Sequence, residues 1–451
     1  MSHPIHEAVT AVLSYGDEIY ITRRQPHLLA FPGFWAFPGG KVDQTDSAEP
    51  FSEPLLAAHP PQLMRALLRE LAEETGLDLA AEIGAGNVRG FACLGETTTP
   101  VFAPLRFRTW FFRVDFRQRP ALALDPGEAA EGEWAPAPLW RERFIKGRLL
   151  VVPPTRAVIE RLAAAPDAGT VPALGVDLDL ERQVPLVEPI GGLLILLARS
   201  NTVPPADRTN AFLIGDPGAR RVLVDPSPAD RAELQRLSTI LDDLRPDEIF
   251  LTHHHPDHRE YADELARLYQ IPIGMSADTH ERIARKTAGR FFENIATRIY
   301  KEGDRLTEWQ GEAVNLFAVP GHDEGQLAVM PQSRAWCIVS DLIQGVGTVV
   351  IGGPESSMRK YFDSLQRVID LDPGVVIPSH GQALGTTYRI KETLKHRRLR
   401  EQQVKSLHDS GRSAEAMIPE IYQGLDPRLL PLARMNIESH LIKLREDGAI
   451  A

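Results

Sequence analysis

The chain has 451 residues, 43% of them hydrophobic and 25% charged, with a formal net charge of −11. At roughly 100–200 residues per domain this is ordinary globular material for two to four domains, and the acidic balance argues against a general nucleic-acid coat. Two cysteines far apart, Cys93 and Cys337, outside any CxxC, exclude a disulfide framework and make a reducing cytoplasm the expected location.

The opening MSHPIHEAVTAVLSYGDEI lacks a basic segment followed by an apolar core, so no secretory leader is expected. Residues 6–24 alternate as two strands around Gly16-Asp17, and the Gly/Pro-rich loop FPGFWAFPGGKVD follows. Leu63, Leu67 and Leu71 recur every four residues, which predicts a helix from Leu63 to Thr75 that Gly76 terminates. RGFACLGE and FRTWFFRVDF read as strands, and a short helix around 154–164 ends the first domain, set at residues 1–165. Prolines and small residues without a period place a linker at 166–187. The apolar run Leu193 to Ala198 is too short for a bilayer, which needs about 20 residues, and reads as a buried strand. Strands then alternate with helices through a domain at 188–395, as in an α/β sandwich, and residues 396–451 are helical.

Two stretches carry chemistry. FLTHHHPDHRE concentrates His253, His254, His255, Asp257 and His258 where a buried strand, EIFLT, leaves the sheet. His253 and His255 are two apart and can point the same way. Imidazoles with one carboxylate suit Zn²⁺, or Fe and Mn at mixed nitrogen and oxygen sites. Downstream, His322, Asp341 and His380 each follow a strand. In RELAEETGL, Glu70 and Glu74 are i, i+4 on one helix face with Glu73 beside them, so their like charges repel unless a cation compensates. Hard oxygen ligands favour Mg²⁺ or Mn²⁺ bridging to substrate phosphates.

HHHPDH, PGH, SD and SHG resemble, in order, the metal-binding loops of the metallo-β-lactamase superfamily, and RTNAFLIG resembles the opening of its branch of glyoxalase-II-type thioesterases and the β-lactamase-like endoribonuclease. The resemblance implies an αββα sandwich in which His253, His255 and His322 hold one metal, Asp257, His258 and His380 a second, and Asp341 bridges; His254 occupies a variable slot. Two cations lower the pKa of a bridging water from about 15.7 towards 7, and Asp257 can orient it.

RELAEETGL resembles the second half of the Nudix box, which implies an α/β/α sandwich with Glu70, Glu73 and Glu74 holding Mg²⁺ or Mn²⁺ and activating water, Arg69 orienting the set. Asp46 stands where the box has Glu, and 22 residues separate it from Arg69. Such an insertion resembles the branch acting on coenzyme A and its esters. Glu128 or Glu131 is a candidate extra ligand, and Trp35 and Phe37 are candidates either for stacking an adenine or for the core.

RIKETLKHRRLREQQVK carries seven Lys/Arg against two Glu, which reads either as a solvated face or as an anion-binding helix. HRRLRE (396–401) resembles the stretch that precedes a small winged-helix domain in the same branch.

The expectation is thus a multi-domain α/β chain, with a helical, winged-helix-like tail, acting as a bifunctional hydrolase. One half would split a nucleoside diphosphate linked to some moiety X, the other a thioester, ester or phosphodiester. The expected partner is a small molecule, a nucleotide or coenzyme A derivative, with no membrane. RNA processing, a nucleotide-sensing first half and a homodimer are the alternatives.

Overall fold

The computed structural model describes residues 4–101, 106–175 and 179–451. Two compact units divide it, Met1–Leu180 with Pro189–Gly191 and Glu181–Glu188 with Gly192–Ala451.

In the first unit the expected hairpin is β1 (Ile5–Tyr15) and β2 (Glu18–Arg24), with β3 (Trp35–Ala36) and β4 (Gly39–Lys41) in the loop behind it. Then come α1 (Pro54–Ala57), α2 (Pro61–Thr75), α3 (Leu79–Gly84), β5 (Val88–Thr98), β6 (Arg106–Phe116), β7 (Ala129–Pro136), α4 (Ala137–Ile145) and α5 (Pro153–Ala164). The strands form one mixed sheet of order β3-β2-β1-β6-β5, with β4 on β1 and β7 on β2; only β1 and β6 run parallel. α2 buries Leu63, Leu67 and Leu71 on one face of this sheet, as its four-residue repeat requires, and Gly76 ends it in the left-handed conformation at φ 67°. α4 and α5 cover the other face through Trp140, Phe144, Val158 and Ile159.

The sequence reading missed β7 and α4, whose polar, proline-containing text has no clean period. The unit also runs on through the stretch read as a linker, three residues of which lie outside the described ones. Ala168, Val171 and Leu174 enter the core, Val171 N donates to Leu94 O at 2.7 Å, and the buried Arg113 donates to the carbonyl of Pro166. Three apolar residues within a proline- and small-residue-rich stretch are too few to set a period, so this docking was invisible in the text.

The chain passes between units at β8 (Leu186–Ile190). The second unit holds β9 (Leu193–Arg199), β10 (Arg208–Ile214), β11 (Val222–Val224), α6 (Arg231–Leu244), β12 (Glu248–Phe250), α7 (Ala262–Tyr269), β13 (Ile273–Ser276), α8 (Ala277–Thr287) and β14 (Thr297–Tyr300), in a sheet running β14-β13-β12-β11-β10-β9. A second sheet follows in sequence order, β15 (Arg305–Trp309), β16 (Glu312–Ala318), β17 (Leu327–Pro331), β18 (Cys337–Ser340), β19 (Val375–Pro378) and β20 (Leu384–Gly385), with α9 (Met358–Leu371) inserted before β19.

Strand periodicity shows how the sheets stack. Ala211, Leu213 and Ile249 join the helix-facing core of α6, α7 and α8, while their neighbours Phe212, Ile214 and Phe250 are equally buried on the opposite side. In the second sheet Cys337 and Val339 pack with α9, and Ile338 is buried the other way. Both sheets are therefore covered on both faces, which gives the expected αββα sandwich. The chain ends in α10 (Tyr388–Asp409), α11 (Ala414–Ile421) and α12 (Leu430–Glu446), joined by a small core of Val404, Met417, Ile437, Leu441 and Leu444. No described helix is long and apolar enough to cross a membrane.

Candidate metal centre

Short strands that end together place the predicted ligands. His253–His258 follow β12 of the first sheet; His322, Asp341 and His380 follow β16, β18 and β19 of the second. The sheets are tied at this end by Leu327 N to Thr252 O (3.0 Å) and by the Asn210 side-chain amide, which donates to Pro378 O and Gly381 O.

All seven predicted ligands converge. His253 Nε2 and His322 Nε2 each lie 3.0 Å from His255 Nδ1. His380 Nε2 is 3.6 Å from Asp257 Oδ2 and 3.4 Å from Asp341 Oδ1, and His258 Nε2 is 3.6 Å from the same Asp341 oxygen. The other Asp341 oxygen is 3.7 Å from His322 Nε2, so this carboxylate faces both groups.

The unfilled bonding is the test of fit. His258 Nε2, Asp341 Oδ1 and His380 Nε2 are buried without a hydrogen-bond partner among the described residues. Orphaned polar atoms at this depth are costly unless an ion satisfies them. Charge agrees: burial holds His253 well below the ordinary histidine value and His255 down to about 2, so both imidazoles are neutral, the form in which histidine can take a metal. Burial also disfavours charge on His258, yet Asp341, Asp257 and Asp225 outweigh it and raise that imidazole. The carboxylates thus demand positive charge here, which a divalent cation supplies. Donor type and convergence fit two such ions.

The far side of four of the five imidazoles is fixed. His258 Nδ1 meets Asp225 Oδ2 at 2.9 Å, His380 Nδ1 meets Arg208 O at 2.9 Å, His322 Nδ1 meets Val350 O at 3.0 Å, and His253 Nδ1 meets Thr252 Oγ1 at 3.1 Å. Such contacts set tautomer and ring orientation. Asp225 was missed, although it closes VLVD at a strand end just as Asp341 closes IVSD. It also accepts from Thr252 N and Oγ1, at a strained φ of 48°. His254, left out of the ligand set, turns away to Asp323 (2.5 Å) and Lys286 (2.8 Å).

The first unit is built differently. Gly39 N donates to Glu74 Oε2 at 2.9 Å, and Gly40 lies so close to Glu70 that a Cβ there would sit 2.4 Å from its carboxylate. Arg69 donates to Glu70 (2.8 Å), to Glu73 (3.2 Å) and, through two nitrogens, to Asp46 (3.2 and 3.1 Å). Asp46 is therefore brought to Arg69 across the long insertion. Burial raises Glu74 to about 7 and also raises Glu70. Among the described residues, every set of three or more ligand atoms within 4.8 Å of one another falls in the second unit, so the three glutamates do not close into one. Glu131 is paired with Arg23, whereas Glu128 lies near enough to Glu74 to raise it. Phe37 is core, and the partly buried Trp35 packs on Trp140.

In the basic stretch, Arg397 and Arg400 turn inward. Arg397 donates to Asn436 and to the carbonyl of Val349, and Arg400 donates to Ile421 O over the Tyr422 ring. HRRLRE thus anchors helices, and the anion-binding reading loses two of its arginines.

Comparison with known proteins agrees with this division. Residues 4–143 match the NUDIX domain, 204–380 the Metallo-beta-lactamase superfamily and 413–451 the Beta-lactamase associated winged helix domain. The chain is 25% identical over 259 residues to a Beta-lactamase-like protein 2 homolog of Drosophila melanogaster, covering 54% of this chain and 84% of that one. It is 28% identical over 183 residues to a Hydroxyacylglutathione hydrolase of Bdellovibrio bacteriovorus, covering 39% and 64%. A beta-lactamase domain protein from Burkholderia ambifaria superposes with a TM-score of 0.50 at 20% identity, over 61% of this chain and 92% of that one, a likeness of fold.

Proposed function

From a metal-dependent hydrolase that joins a NUDIX domain to a metallo-β-lactamase domain and its associated winged helix, we propose a two-activity enzyme for coenzyme-A-type substrates. The second unit would hydrolyse a thioester or ester and the first a nucleoside diphosphate linked to X. The relative named for hydroxyacylglutathione hydrolysis supports the thioester class. The observation that supports the reading is the convergence of seven side chains from four loops, with His258 Nε2, Asp341 Oδ1 and His380 Nε2 buried without a hydrogen-bond partner among the described residues.

His253, His255 and His322 would hold one divalent cation and Asp257, His258 and His380 the other, with Asp341 shared. Bound there, the pair would acidify a water and polarise the scissile bond. The chain's own residues do the rest. Asp257 is the partly exposed carboxylate of the set, placed to accept a proton from the attacking water and steer it. His258 and His380 keep their Nε2 atoms aimed inward because Asp225 and the Arg208 carbonyl engage the opposite nitrogens. Ser340 and Cys337 of β18 are not free to act as nucleophiles: the Ser340 hydroxyl bonds Thr252 and His253, and burial pushes the Cys337 thiol up to about 12.

In the first unit, Glu70, Glu73 and Glu74 would hold Mg²⁺ or Mn²⁺. The Arg69 clamp on Glu70 and Glu73 also suits a unit that senses nucleotide without turnover. The test incubates purified full-length protein with acyl-coenzyme A and with RNA, adding Zn²⁺ or Mn²⁺, and identifies the cleaved bond by mass spectrometry. Thioester cleavage, lost in His255→Ala, is expected; cleavage of RNA alone would replace this reading.

A further inference from the structure

The bond from His322 Nδ1 to Val350 O leads away from the metal centre to the C-terminal helices. Val350 belongs to the loop after Asp341, and three buried polar side chains hold that loop from behind. Arg397 of α10 donates to Val349 O. Asn436 of α12 accepts from Ile351 N at 3.0 Å and also receives Arg397 at 3.2 Å. Ser439, one turn on, donates to Ile351 O at 2.8 Å. Backbone and helix come so close that a Cβ on Gly352 would lie 2.6 Å from Met435 Cβ. The loop's far end closes on the same histidine, with Ser356 Oγ donating to His322 O at 2.9 Å.

Arg397, Asn436 and Ser439 are each less than a tenth exposed. Buried polar groups at a helix interface carry a desolvation cost unless each finds a hydrogen-bond partner. Here each one meets the backbone on either side of the carbonyl that orients His322.

We propose that Arg397, Asn436 and Ser439 are positioning residues for His322, so that the C-terminal helices set how tightly the His253–His255–His322 site holds its metal. This rests on the reading of His322 as a ligand. Loss of the loop's anchor frees Val350 O, lets the imidazole turn, and weakens one of the two ions selectively.

The test measures Zn²⁺ binding by the full-length chain against a chromophoric chelator, with the visible spectrum of the Co²⁺-loaded form as the readout of ligand geometry. Asn436→Ala and Ser439→Ala should leave one ion tight, weaken the other by about 10–100-fold, the usual effect of losing an outer hydrogen bond to a ligand, and alter the Co²⁺ bands. Met417→Ala, which opens the small C-terminal core without touching the loop, controls for general destabilisation. It should lower the melting temperature and leave both affinities within about twofold, since mutations at separate sites act independently. Unchanged affinities and bands in folded Ser439→Ala and Asn436→Ala overturn the proposal, as does equal weakening in Met417→Ala. An unaltered chain that binds no Zn²⁺ overturns the metal-site reading itself, and this one with it.

Discussion

The two acidic clusters solve the same problem, like charges crowded together, by opposite means. In the first unit Arg69 lies among Asp46, Glu70 and Glu73 and supplies a positive charge from the chain itself. In the second, among the described residues, no arginine or lysine side chain pairs with Asp257, Asp341 or the five histidines, and His258 Nε2, Asp341 Oδ1 and His380 Nε2 have no hydrogen-bond partner. A site with its counter-charge built in can persist without metal; a site without one has a standing demand for it. Metal should therefore be integral to the second unit and conditional in the first.

The strongest way to break that contrast is to remove a ligand from the second centre. His258→Ala should take Zn²⁺ content from two ions per chain to one, measured by mass spectrometry of the metal, and lower hydrolysis on the order of a thousandfold, since the paired ions act as one unit. Retention of both ions would show that the convergence is not a ligand set. Next in size, Glu74→Gln should lower Mg²⁺-dependent hydrolysis of a nucleoside diphosphate ester by about a hundredfold in the full-length chain, because one hard ligand is lost. No turnover by the unaltered chain would instead assign the first unit to sensing.

The built-in counter-charge can be tested directly. Asp46→Ala leaves part of the Arg69 guanidinium unpaired and should cost about 1–2 kcal/mol in denaturant unfolding of the first unit, discounted for the partial exposure of Arg69. Asp46→Glu should recover most of it if Asp46 does the work of the glutamate that this position resembles. The smallest effect belongs to the C-terminal helices. Burial opposes charge on Glu401, but hydrogen bonds from His440 and Lys443 outweigh it and hold this carboxyl below the usual range. A depressed carboxyl stabilises the fold above its unfolded pKa and loses that contribution as the pH falls through its folded value. Protection from hydrogen exchange in α10 and α12, corrected for the intrinsic rate, should fall as the pH drops below the ordinary glutamate value of about 4.3, and Glu401→Gln should flatten that dependence while costing about 1 kcal/mol at neutral pH. An unchanged profile would show that the pair is incidental.

The sequence by itself determined what is encoded within one element. The four-residue repeat of α2 chose its buried face, and Gly76 its end. Strand text followed by HHHPDH, PGH, SD or SHG marked where the loops carrying the candidate ligands leave the sheets, because a strand end is the nearest exit for a polar side chain from a buried layer. Only the tertiary structure decided which of these ends meet. It brought His322 to within 3.0 Å of His255, carried Asp46 back to Arg69 across 22 residues, docked Ala168, Val171 and Leu174 into a core, and turned Arg397 inward onto Asn436. Periodicity reports which face of a segment is apolar over a few turns. The partner of a buried polar atom is fixed by packing between elements far apart in the chain, and no local spacing records it.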